Sequence, residues 1–140
     1  MAYQELRGAG PAARRKAHWW DWLNVAAGIW LFVSPWVLNF TGAVANYPVT
    51  TPIALTAAWN AWVLGAVVFL FSLAATQRPQ SRPEWVNMLL GVWIFISPWI
   101  LGFSRLSPAL WDHWFTGAVI VVVGFLGIVS AWPDSGEPVQ

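Results

Sequence analysis

A chain of 140 residues that is 58% hydrophobic and only 9% charged lacks the polar residues to cover a water-soluble domain. Such domains carry roughly 25% charged residues. The net charge of +1 leaves no electrostatic footprint for nucleic acid. The absence of cysteine excludes disulfides, thiolate chemistry and cysteine-ligated metals.

The chain opens on a basic tail, residues 1–17, with Arg7, Arg14, Arg15 and Lys16, read as flexible. An apolar segment follows at 20–39. It is too long for the apolar region of a signal peptide and has no small-residue cleavage site, so it reads as a first membrane helix. Further apolar segments cover 57–76, 85–103 and 112–132. No charge occurs between residues 22 and 77, 85 and 104, or 114 and 133. Each segment holds close to the ~20 residues that cross a hydrocarbon core. Between the first two, over 44–56, Pro48 and Pro52 oppose regular helix. Pro133 ends the fourth, before an acidic tail at 134–140.

The first and third segments are almost one sentence written twice. Trp22, Asn24, Gly28, Trp30, Phe32, Ser34, Pro35 and Trp36 recur 63 residues later as Trp85, Asn87, Gly91, Trp93, Phe95, Ser97, Pro98 and Trp99. Every difference between the two copies exchanges one apolar residue for another. The second and fourth segments also correspond, at an offset of 52: Trp59, Asn60, Trp62 and Gly65 against Trp111, Asp112, Trp114 and Gly117. A repeat of this kind is one supersecondary unit used twice. The unit is a helical hairpin, at 18–78 and 85–133, with a linker at 79–84. The first hairpin's own loop is longer by 11, the difference between the offsets.

Six of the seven basic residues lie before the first helix or between the second and third; Arg105 alone lies in the opposite loops. The positive-inside rule then places both termini and the 79–84 linker in the cytoplasm. The expected fold is an all-α membrane protein: four transmembrane helices as two tandem hairpins, related by a pseudo-twofold axis along the membrane normal.

Ser34-Pro35-Trp36 and Ser97-Pro98-Trp99, each in the first helix of a two-helix unit, resemble the SPW-repeat family of small bacterial membrane proteins. The resemblance spans about 19–133. It implies an integral protein of the bacterial inner membrane built from two-helix repeats. It brings no reaction, ligand or catalytic residue with it.

Pro35 and Pro98 lack the N–H that would bond Leu31 and Ile94, and the preceding serine can serve a freed carbonyl. The following tryptophan is an interfacial anchor. A pocket between the two kinks is the functional alternative. Asn24 and Gly28, like Asn87 and Gly91, share a helix face. They are expected to pack the two first helices together, with an amide bond worth about 0.6–2 kcal/mol; a polar ligand site is the alternative.

Of the 13 tryptophans, most fall at belt positions, but Trp30 and Trp93 fall mid-helix. Their indoles either pack in the bundle or face a flat apolar molecule such as a quinone, carotenoid or tetrapyrrole. His18 and His113 lie at opposite membrane faces and share no metal; either could alone ligate a single metal centre such as a chlorophyll magnesium, and the simpler reading for both is a polar residue at an interface. Trp30, Trp93 and His113 are therefore the cofactor-site candidates, with no metal site and no catalytic residue assigned.

No ionisable residue is expected at mid-membrane depth, which argues against a pump, an ion-coupled transporter or a redox enzyme. The expected role is non-enzymatic. It is a structural or accessory subunit that packs, among membrane lipids, against other integral proteins (a photosynthetic or respiratory complex) or against copies of itself. A protein that binds a lipid, quinone or pigment is the alternative.

Overall fold

The computed structural model describes residues 19–40, 52–77 and 84–130, and all of its regular structure is helical. The elements are α1 (Trp19–Val37), α2 (Pro52–Gln77), α3 (Glu84–Ile100) and α4 (Ser107–Ser130). The basic tail, His18 and the 79–83 linker residues lie outside the described residues, as does most of the 44–56 loop.

The ends of the helices follow local chemistry. Asp21 and Glu84 lie in the first turns of α1 and α3, where the helix dipole favours a negative charge. Residues 52–56 are helical, contrary to the expectation of a loop there: Pro52 is the first residue of α2, a position where its missing N–H costs nothing. Similarly α4 starts at Ser107, five residues before the expected 112, with Pro108 in its first turn.

Pro35 and Pro98 lie within α1 and α3, and each helix stops two residues later. Asn39 (φ 53°) and Gly102 (φ 77°), 63 residues apart, take the left-handed conformation just past these ends. The Phe40 N–H then bonds the Pro35 carbonyl at 3.0 Å, closing α1 in a Schellman turn. Both following phenylalanines, Phe40 and Phe103, are wholly buried.

Each hairpin is joined by glycine. A Cβ on Gly28 would stand 2.6 Å from the Phe69 nitrogen and 3.1 Å from the Gly65 carbonyl oxygen of α2. A Cβ on Gly117 would stand 2.6 Å from the Phe95 nitrogen and 2.8 Å from the Gly91 oxygen. Backbones therefore touch, as small residues allow in membrane helix pairs. This corrects the expected partner of Gly28 and Gly91. They pack α1 on α2 and α3 on α4, inside the hairpins, and not first helix on first helix. The hairpins meet instead through α1 on α4 and α2 on α3.

The interior is narrow. Leu31, Val68, Ile94 and Ile120 are wholly buried, among Ala57, Ala61 and Ala109. Many large apolar residues face outward: Trp19, Trp22, Trp36, Trp59, Leu70, Trp85, Trp99, Trp111, Phe115 and Phe125 are all more than half exposed. Asp21, Asn24, Ser34, Asn87, Ser97, Asp112 and His113 face inward. α2 and α4, of 26 and 24 residues, are long and apolar enough to cross a membrane. α3 is apolar but has only 17 residues.

A buried polar cluster between the hairpins as candidate functional site

The serine before each proline does two things. Leu31 and Ile94 have lost the N–H of Pro35 and Pro98. The Ser34 Oγ lies 3.0 Å from the Leu31 oxygen, and the Ser97 Oγ donates to the Ile94 oxygen at 2.9 Å. Each serine also reaches into the other hairpin. Ser34 Oγ is 2.6 Å from Asp112 Oδ2 on α4, and Ser97 Oγ accepts from Asn60 Nδ2 on α2 at 3.0 Å. Asn60 and Asp112 correspond at the 52-residue offset, so the same cross-link occurs twice with different chemistry.

The Trp30 indole N–H donates to the other carboxyl oxygen of Asp112 at 2.7 Å. That bond gives the mid-helix indole its acceptor, while its ring remains half exposed. Trp30 also lines an apolar groove of about 330 Å³ between α1 and α4, with Leu23, Ala27, Phe115 and Val119. Trp93 makes no matching bond among the described residues.

Asp112 and His113 are both buried, His113 completely. Both side chains are therefore enclosed by the bundle and not presented on its surface. Because α4 begins at Ser107, the pair falls in its second turn and turns toward α1. His113 Nδ1 lies 2.8 Å from the Ala109 oxygen. A carbonyl only accepts, so Nδ1 carries the proton and Nε2 is left as an acceptor. Nε2 has no partner. Nδ1 is 3.9 Å from Asp112, beyond hydrogen-bond reach. Phe40 and Phe103 flank the ring, with centroids at 6.3 and 4.9 Å. Nε2 itself is buried, with no open face for a metal to approach, and no cluster of three potential ligands occurs among the described residues.

Asn24 and Asn87 are buried as well. The Asn24 amide oxygen has no donor among the described residues.

The aromatic end of each hairpin repeats too. Trp59 and Trp62 meet edge to face at 5.4 Å, and Trp111 and Trp114 do so at 5.3 Å. Phe32 leans on Trp36 at 5.7 Å, and Phe95 on Trp99 at 6.0 Å. The repeated serines and prolines, and the paired tryptophans of α2 and α4, hold the same posts in both units. A protein-family profile, the SPW repeat domain, matches residues 18–127. The chain belongs to the SPW repeat family. No curated protein and no solved structure matches it. In this SPW chain the serine of the signature is both a cap for the carbonyl freed by proline and a link between the units.

Sequence reading singled out Ser34 and Trp30 one by one, but not their meeting at Asp112. It did not single out Phe40 and Phe103. Their signal was present: the 63-residue correspondence continues past the quoted repeat through Asn39 and Gly102 to these two rings.

Proposed function

We propose that this SPW-repeat chain is a non-enzymatic integral membrane protein, a structural or accessory subunit that packs against a larger complex or against itself. The observation that carries the reading is the inverted pattern of burial. Many of the tryptophans, leucines and phenylalanines face outward, while Ser34, Ser97, Asn24, Asn87, Asp21 and Asp112 face inward. An apolar exterior of this extent is at home in lipid or against another apolar surface. In the proposed topology all four helices cross the inner membrane with both termini cytoplasmic. The two hairpins are related by a twofold axis along the membrane normal. The doubled serine cross-links, Ser34 to Asp112 and Ser97 to Asn60, support that axis.

A second reading is favoured by the groove beside Trp30, whose apolar walls suit a lipid chain or a flat apolar cofactor. Purification from native membranes in mild detergent, followed by native mass spectrometry, separates the two. Co-purifying subunits or a homo-oligomer support the first. A single chain carrying one small molecule per copy supports the second and overturns the first.

A further inference from the structure

Ser34 has one hydroxyl proton and two oxygens within reach, Leu31 O at 3.0 Å and Asp112 Oδ2 at 2.6 Å. It cannot donate to both. For both contacts to be hydrogen bonds, one of the two oxygens must bring its own proton, and a backbone carbonyl has none. We propose that Asp112 is a proton-binding site inside the bundle, held as the neutral carboxylic acid. Its Oδ2–H donates to Ser34 Oγ. Ser34 donates onward to the carbonyl of Leu31. Asp112 Oδ1 accepts the Trp30 N–H. Every group in the chain is then satisfied, and the 2.6 Å separation is normal for O–H···O.

The other hairpin junction supplies an internal control. Ser97 donates to Ile94 O and accepts from the Asn60 amide, which is a permanent donor. Asp112 stands in the place of Asn60, and Ser34 in that of Ser97. A protonated carboxyl has the shape and the donor of an amide; a carboxylate has the shape without the donor.

Among the described residues no counter-charge faces Asp112. His113 spends its Nδ1 proton on Ala109 O. Arg105 is exposed. Asp21, near the far end of α1, is 13 residues before Ser34, about 20 Å along the helix. Glu84, the first residue of α3, packs beside Gly127, a further 15 residues along α4 from Asp112. α2 contributes no titratable side chain. An unpaired buried carboxylate costs far more than a buried acid with its bonds made. Losing the proton would also force Ser34 to turn to the carboxylate, leaving Leu31 O without the donor that Pro35 already denies it.

The test is infrared spectroscopy of the full chain in phospholipid nanodiscs at neutral pH, with and without ¹³C-labelled aspartate. The wild-type minus D112N difference is expected to show the C=O stretch of a protonated carboxyl that shifts with ¹³C and in D₂O. D112N is expected to keep the wild-type unfolding midpoint, because the amide supplies the same donor. Carboxylate bands in place of the acid band overturn the proposal. Should D112N fail to fold, the labelled wild type is compared with S34A. The acid band is expected to move when its acceptor is removed, and an absent or unmoved band overturns the proposal.

Discussion

Ser34 and Asp112 are 78 residues apart in the chain and 2.6 Å apart in space, and their contact joins the first helix of one hairpin to the second helix of the other. Ser97 and Asn60 form the corresponding joint at 3.0 Å. Together with the Trp30–Asp112 bond, the two SPW serines therefore link the units through polar contacts.

Substituting Ser34 with alanine removes the link to Asp112 and bares the Leu31 carbonyl. The expected loss is about 1–3 kcal/mol, the cost of leaving buried partners unmade. Ser97→Ala faces a half-buried neutral amide and should cost less, about 0.6–2 kcal/mol. Thermal unfolding of both variants in the same detergent checks the order, which reverses if the Asn60 junction is the stronger.

Adding one methyl to Gly28 should part the first hairpin. The new carbon meets backbone atoms of Phe69 and Gly65 at 2.6 and 3.1 Å, and backbone does not rotate aside. A cost of about 1–3 kcal/mol is expected for overpacking of this kind. Gly124→Ala, whose nearest neighbour is the Met88 nitrogen at 3.1 Å, should be milder. Equal unfolding midpoints for the two would show that the α1–α2 contact relaxes freely.

Gly102 has open space around its Cβ position but a φ of 77°. Alanine there should cost about 1–2 kcal/mol through backbone strain alone. At Asn39, glycine should hold stability and alanine should lower it, because asparagine tolerates the left-handed region better than alanine. Denaturation in SDS titrations measures both; an unchanged Gly102→Ala midpoint would show that the turn after α3 rearranges without cost.

Topology has its own measurement. The chain has no cysteine, so single cysteines at Tyr47 and Ser81 are unique labels. A membrane-impermeant maleimide should reach Tyr47→Cys from outside the cell and Ser81→Cys only after the membrane is opened. Labelling of both from one face rejects the four-span arrangement.

The sequence by itself determined the number of helices, their pairing into repeated units and the apolar character of their surfaces. These are local properties: uncharged runs, an exact 63-residue echo of polar, glycine, proline and aromatic posts, and prolines that stop α1 and α3. Even the starts of α2 and α4 were legible in hindsight, since Pro52 and Pro108 are tolerated in a first turn and do not delay the helix. Only the tertiary structure decided which faces meet. Helices that are apolar nearly all round carry little periodic signal for an inward side. Nothing local to Ser34 names Asp112 as its neighbour, and nothing local to His113 says that Phe40 and Phe103 will enclose it. Gly28 could equally have met Gly91 or Gly65; the close approach of α1 and α2 backbones chose Gly65. That choice left α1 to face α4, and this brought the one buried aspartate of α4 against the serine and indole of α1.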